Sequence, residues 1–352
     1  MTSASPPLAE DLDVTVLICT RDRALQLETV LGSASRMRIP TGLRWELVVV
    51  DNGSSDGTAD VVRSFVGRLP ARVVREDAAG LSNARNRGVA EARGRYICWT
   101  DDDVLIDEGW LEAYVAAFSR HPEAAVFGGR IVPVLEQPTP AWFARLADFW
   151  PLSTLLARRD FGPTPIPLDF EAGVAPWGAN FALRAAEQRR VRYEPGLGVS
   201  PNHRRVGEEA EVIFQMLKGG ASGWWVPDAV VRHIIPLKRQ TLDYVYDYFR
   251  ASGETLAYME QTWPGKHHLS ANQRELKRLR GGSAWLYAKA LAHGVLFSGC
   301  WTVGARLRAL QCLMRAGFYA GAARLPKLGS SAVPGAQPAS AERRPPHPAA
   351  SA

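Results

Sequence analysis

The chain has 352 residues, 46% of them hydrophobic and 22% charged, with a net charge of +6 and 4 cysteines. That is the composition of an ordinary folded protein, long enough for one large domain or two medium ones with ample core. The cysteines have neither paired nor ligand-like spacing, which argues against a disulfide framework. Cys19 and Cys98 lie in apolar runs and are expected to be buried free thiols in a reducing compartment.

Residues 1–12 are expected to be disordered. The start, with Pro6, Pro7, Glu10, Asp11 and Asp13, has no basic opening and no apolar run, so it does not read as a signal peptide. Val14–Cys19 is a β-branched, strand-like run that stops at Thr20-Arg21-Asp22, and a helix is expected over Ala24–Ser35. Trp45–Val50 is a second strand, closed by Asp51-Asn52-Gly53-Ser54-Ser55-Asp56-Gly57, with a helix over Thr58–Val66. Arg72–Arg75 is a weaker strand and Leu81–Ala92 a basic helix. Arg95–Thr100 is a strand that ends in three carboxylates, Asp101-Asp102-Asp103, and Glu108–Phe118 is helical. Strands alternating with helices, with near-continuous apolar strands, predict an α/β fold whose mostly parallel sheet is covered on both faces.

Further on, strands are expected at Ala125–Val132, Asn180–Arg184 and Trp224–His233. The Pro- and aromatic-rich stretch Pro138–Pro176 reads as irregular and substrate-shaping. Gly207-Glu208-Glu209-Ala210-Glu211 opens an amphipathic helix, where acids meet the helix dipole favourably whatever else they do. Gly281–Leu325 is helical. Its segment Trp285–Val303 is near spanning length but polar enough to be interfacial or packed. Residues 329–352 are rich in Pro, Ala and Ser and are expected to be disordered.

Three polar clusters, at Thr20–Asp22, Asp51–Asn52 and Asp101–Asp103, each follow a strand's C-terminal end, where open α/β sheets bind ligands. Three adjacent acids repel one another and need positive charge. A hard divalent cation such as Mg²⁺ or Mn²⁺ takes one or two carboxylates and fills its other positions with phosphates. The glycine fingerprint of dinucleotide sites and the Walker loop are both missing, so phosphate must be met by metal and arginine. Asp103 is the candidate for the first and Arg85, on the basic helix, for the second.

In this order and at this spacing the motifs Val16–Arg23, Val48–Thr58, Gly80–Gly88, Thr100–Asp103, Gly178–Arg184, Gly207–Glu209 and His233 resemble the family-2 inverting glycosyltransferases, over about residues 13–255. The resemblance implies a GT-A fold, a Rossmann-like, mostly parallel sheet with helices on both faces plus a C-terminal helical segment. It divides the chain into a nucleotide-sugar-binding half (13–122), an acceptor-binding half (123–255), a basic helical extension (256–328) and the tail. It also implies site roles. Thr20 and Asp51 would line the nucleobase pocket, with Asp22, Arg85 and Asp101 beside the nucleotide. Asp102 would face the ribose, Asp103 would hold the metal, and His233 would be a metal or diphosphate ligand. Trp177, Gly178 and Asn180 would flank the donor sugar and acceptor. The base would be Glu208 or Glu209, where the family commonly has Glu-Asp. The donor implied is a UDP- or dTDP-sugar, and the acceptor a glycan or lipid-linked hydroxyl. The Gln-x-x-Arg-Trp motif of processive synthases is absent, which points to single transfer.

Two rivals differ in what they need. A sugar-nucleotide pyrophosphorylase wants a Gly-rich basic loop after the first strand, and Cys19-Thr20-Arg21-Asp22 is not one. A degenerate, membrane-associated scaffold predicts eroded acids, whereas the site positions keep workable side chains.

From Gly265 onward the chain carries 13 Lys/Arg and 2 acids, which leaves the rest mildly acidic. Lys277, Arg278 and Arg280 precede the apolar segment, and Arg306, Arg308 and Arg315 follow it. The partner expected for this tail is an anionic membrane surface rather than nucleic acid, giving a cytoplasmic protein peripheral to the inner face of the cell membrane. The competing expectation is a helical pair packed on the catalytic domain through Gly294, Gly299 and Gly304.

Overall fold

The structure, a computed structural model, describes residues 12–145, 152–263 and 283–324. The expected disorder of residues 1–12 and 329–352 lies outside the described residues or nearly so, as do Lys277, Arg278 and Arg280.

Eight strands form one sheet: β1 (Leu12–Thr20), β2 (Trp45–Asp51), β3 (Ala71–Arg75), β4 (Gly94–Thr100), β5 (Val104–Ile106), β6 (Val126–Leu135), β7 (Asn180–Arg184) and β8 (Gly223–Ile235). Their order is β3-β2-β1-β4-β7-β6-β8-β5. The first four are parallel, β7 runs antiparallel between β4 and β6, β6 and β8 are parallel, and β5 closes the edge antiparallel to β8.

The continuous apolar strands feed two cores by simple alternation. Val14, Val16 and Ile18 of β1, Leu47 and Val49 of β2, and Tyr96 and Cys98 of β4 face one side. There they meet α1 (Ala24–Ala34) and α4 (Trp110–Arg120) through Leu27, Val30, Leu31, Trp110 and Tyr114. Leu17, Val48, Val50, Ile97 and Trp99 face the other, against α3 (Leu81–Glu91) and α8 (Glu208–Lys218). Helix α2 (Thr58–Ser64) covers β2 and β3. Among its described residues the stretch expected to be irregular holds two helical turns, α5 (Ala141–Ala144) and α6 (Leu152–Leu155), and α7 (Ala185–Gln188) follows β7.

Besides these short turns, two elements were not anticipated. β5 is three residues long. The other is α9 (Leu242–Thr262), 21 residues capped by the Thr241 hydroxyl, which accepts from Tyr244 N. The domain division expected at 255/256 falls inside α9, so the sheet-bearing part and the extension share a continuous helix.

The extension is a hairpin of α10 (Ser283–Thr302) and α11 (Arg306–Ala322). Here the packing expectation needs correction. Gly294, Gly299 and Gly304 have open space where a Cβ would stand. The close approach is made instead by Gly317 and Gly321 of α11 and Gly253 of α9, where a Cβ would collide with Tyr246, Arg250 and Phe318 backbone atoms respectively. Helix α11 is therefore seated on α9 and α10 lies outside it.

Candidate active site

The strand ends converge as expected. Thr20 stands opposite Asp51 in the β1–β2 register, Ile18 opposite Thr100 in β1–β4, and Thr100 opposite Asn180 in β4–β7. Four chain segments thus deliver their polar residues to one sheet edge.

Asp51 is 4% exposed. Its Oδ1 accepts from Ser54 N at 2.8 Å, and its Oδ2 lies 3.6 Å from Arg75. Neighbouring Asn52 ties this loop to the start of α3: its Nδ2 donates to the Glu76 and Ala78 carbonyls, and its Oδ1 accepts from Gly80 N. Asp22 adopts a left-handed φ of 52°, which Asp tolerates, and its Oδ1 accepts from Ser55 N at 2.8 Å. That carboxylate fastens the two loops to each other.

Positive charge is indeed gathered at the three acids, much of it as arginine that sequence reasoning had not assigned. Arg23 donates to Asp102 Oδ1 at 2.6 Å and to Asp103 Oδ2 at 3.3 Å. Arg239, on the turn Leu237–Arg239 after β8, donates to Asp103 Oδ2 at 2.9 Å. The Thr20 hydroxyl donates to Asp102 Oδ2 at 2.8 Å. Burial raises the Asp102 carboxyl, which Asp103 and Asp101 also push up and Arg23 and Thr20 pull down, to about 6. For Asp103 burial pushes upward too, but His233, Arg239 and Arg23 outweigh it and hold the carboxyl well below the usual range.

Among the described residues no group of three or more His, Cys, Asp or Glu is arranged to hold a metal ion. The pair Asp103–His233 nevertheless fits one in its chemistry. His233 Nδ1 is 3.0 Å from the Leu156 carbonyl, to which only an N–H can donate, and this turns Nε2 toward Asp103 Oδ1 at 3.5 Å. A backbone carbonyl fixing the far nitrogen is the usual support of a metal-ligating histidine. Nε2 also lies 3.2 Å from Arg239, which occupies the space a cation would share.

Arg85 needs a correction of position. It is 3% exposed, enclosed by Trp99, Phe181 and Tyr193 at 5.3–5.7 Å, and it reaches Asp101 at 3.6 Å and Glu208 at 3.4 Å. It lies beneath the acids rather than open to a nucleotide, as a buried cation bridging two carboxylates.

The two glutamates differ in setting. Gly207, in the left-handed conformation at φ 87°, turns the chain into α8, so both fall in its first turn. Glu208 is 4% exposed. Burial, and then the charge of Glu209, push its carboxyl up to about 8 while Arg85 pulls against them. Glu209 is half-buried, and its Oε1 accepts from Gly178 N at 3.3 Å. A Cβ on Gly178 would stand 3.0 Å from that same oxygen, so glycine there makes room for the carboxylate. Beside it Trp177 lies under the Arg159 guanidinium at 4.4 Å.

Asn180 is a second correction. It is fully buried and its amide is saturated: Nδ2 donates to the Arg130 and Ala229 carbonyls, and Oδ1 accepts from Trp110 Nε1 and Tyr114 OH, all at 2.8 Å. Its side chain pins β7 to α4, β6 and β8 and cannot touch a sugar.

This architecture is shared with known proteins. The mannosyltransferase PcManGT from Pyrobaculum calidifontis, solved with GDP-Man and Mn²⁺, superposes with a TM-score of 0.57 at 19% identity, over 90% of this chain and 88% of that one. That likeness establishes the fold as GT-A-like. Residues 15–173 match Glycosyl transferase family 2. Validoxylamine A glucosyltransferase of Streptomyces hygroscopicus subsp. jinggangensis is 34% identical over 119 residues, 33% of this chain and 28% of that protein. Succinoglycan biosynthesis protein ExoM of Rhizobium meliloti is 25% identical over 251 residues, 70% of this chain and 74% of that protein. The chain spans between 28% and 42% of the length of the first curated relatives it matches.

Proposed function

We propose that this protein moves a sugar from a nucleoside-diphosphate sugar to an acceptor hydroxyl by a single, inverting displacement, with a divalent metal, in the synthesis of a surface glycan or glycolipid. The observation that carries this reading is the meeting at one sheet edge of Thr20, Asp51, the three aspartates and the Glu209–Gly178 pair.

On this reading Thr20 and Asp51 face the base, Asp51 accepting from a base N–H, and Asp102 faces the ribose. A UDP- or dTDP-sugar is the expected donor. Asp103 and His233 would hold Mg²⁺ or Mn²⁺, which when bound supplies Lewis-acid stabilisation of the leaving diphosphate. Arg23 and Arg239, already at the acids, add cationic donors for the same phosphates. Glu209 takes the proton of the acceptor hydroxyl, because its carboxylate is half-open and oriented by Gly178 N–H. Glu208 is the poorer base: it is buried, paired with Arg85, and raised to about 8. One base and one displacement invert the anomeric centre, by the geometric logic of inverting glycosidases.

Slow hydrolysis of the donor, with water standing in for the acceptor, tests the stereochemistry. Proton NMR of UDP-sugars incubated with the protein and Mn²⁺ is expected to show the inverted anomer first. A retained anomer as first product would refute the single displacement.

A further inference from the structure

Helix α10 is mostly apolar, and among the described residues only one of its faces is covered. Leu286 is buried against α11, Lys289 lies 4.8 Å from the Tyr319 ring, and His293 stacks on Tyr319 at 5.7 Å. Tyr287, Leu291 and Val295, spaced four residues apart, form an exposed row, with Leu291 and Val295 at 72% and 73%, and Trp285 and Leu296 are exposed on the other flank of the helix. Val303 and Leu307 continue the row through the turn to α11. Single exposed apolar side chains are ordinary, but a row of them along one helix marks a surface that meets something. A 20-residue helix is about 30 Å long, so the row is extended rather than a local patch.

Charge says what it meets. Residues 283–324 contain five Lys/Arg and no Asp or Glu. Arg306 and Arg308 are exposed on either side of Leu307 at the hairpin turn. Between α9, α10 and α11 lies an open groove of about 730 Å³ whose walls include Tyr287, Leu291, Val295, Arg324 and the ion pair Asp247–Arg250 at 3.1 Å. Apolar residues beside cations, in a segment free of acids, match the acyl and phosphate layers of an anionic lipid surface.

We propose that α10 and its turn to α11 form a docking face on which the protein lies against an anionic lipid bilayer. Leu291, Val295 and Leu296 enter the acyl boundary, and Arg306 and Arg308 meet headgroup phosphates. A second copy of the chain is the poorer occupant, because pairing two such faces would oppose two acid-free cationic surfaces. Among the described residues no helix is long and apolar enough to cross a membrane, so the helix lies on the surface rather than through it. The face is rigidly tied to the catalytic body: α11 is glycine-seated on α9, and Trp142 in the acceptor-side half stands 6.5 Å from Trp301 of α10. Docking goes beyond the transfer reading and stands independently of it.

The test is co-sedimentation of the full chain with phosphatidylcholine vesicles, with and without phosphatidylglycerol. The expected result is binding to the anionic vesicles alone, released by half-molar salt. Leu291→Glu/Val295→Glu, at positions already in solvent, is expected to weaken binding by about tenfold or more at unchanged Tm and unchanged nucleoside-diphosphate affinity. Should that pair unfold the hairpin, Arg306→Glu/Arg308→Glu carries the decision by the same loss of binding. Equal binding to neutral vesicles, no binding at all, or wild-type binding by a folded double variant would overturn the proposal. So would a solution dimer that Leu291→Glu/Val295→Glu dissolves while the wild-type protein ignores vesicles.

Discussion

Glu208 and Glu209 are adjacent on one helical turn, yet one is buried and the other half-open, and the proposed transfer gives them opposite roles. Glu209→Gln is expected to lower kcat by about 10²–10⁴-fold while leaving donor affinity nearly unchanged, since a base acts only in the transition state. Steady-state kinetics with separate donor titrations checks it. Glu208→Gln is expected to act on pH dependence instead. Its folded carboxyl is raised from 4.5 to about 8, so the fold favours the protonated form. That contribution is present below about pH 4.5 and is lost as pH rises through about 8. Thermal scans from pH 5 to 9 should therefore show a flatter alkaline decline in the glutamine variant, and an unchanged slope would contradict the assignment. Which of the two is buried was not legible in the sequence, because Glu-Glu after Gly207 gives no sign of which one the Arg85 pocket swallows. Asn180 was misplaced for a similar reason. Next to Gly178 it looks like a sugar ligand, and only the arrival of Trp110 and Tyr114 from α4 shows that its amide is spent. Removing it, as in Asn180→Ala, orphans several buried groups and is expected to cost about 3 kcal/mol or more in denaturant unfolding.

At the scale of elements, the strands and the flanking helices of the first half were legible almost to their ends, because β-branched runs closed by polar clusters leave little choice. What the sequence hid was whatever depended on a distant partner. β5 is three residues that pair only because β8 passes beside them. Helix α9 carries Val245, Phe249, Leu256 and Met259 on helical spacing, but with aromatics, acids and Gly253 between them the stripe is diluted. The glycines divided the same way: position in sequence could not say which would be crossed by another backbone. The structure makes the distinction testable. Gly321→Ala is expected to destabilise the hairpin by about 1–3 kcal/mol through overpacking against Arg250. Gly299→Ala, facing open space, is expected to be neutral or stabilising by up to about 1 kcal/mol. Equal losses from both would show that α11 is not seated on α9 as described.

For the whole molecule, the expected mostly parallel sheet is the one that forms, with β7 and β5 as its antiparallel strands. The parallel half β3-β2-β1-β4 delivers Thr20, Asp51 and the acids, and the antiparallel β7 brings the Trp177–Asn180 segment to the same edge. The convergence itself was readable, since three acid-bearing clusters each followed a strand. The arginines that balance them were not. Arg23 and Arg239 are 216 positions apart and meet at Asp103 only when β8 returns beside β5. On the proposed reading, a site that holds its acids against arginine in this way exchanges part of that pairing for metal and phosphate when a donor binds. The most direct measurement is a thermal shift of the wild-type protein and Asp103→Asn with UDP, dTDP and GDP, each with and without Mn²⁺. A nucleoside diphosphate is expected to raise the Tm of the wild-type protein more with Mn²⁺ than without, and Asp103→Asn to lose the metal-dependent increment. No shift with any of the three in the presence of Mn²⁺, or an increment that survives in Asp103→Asn, would contradict it.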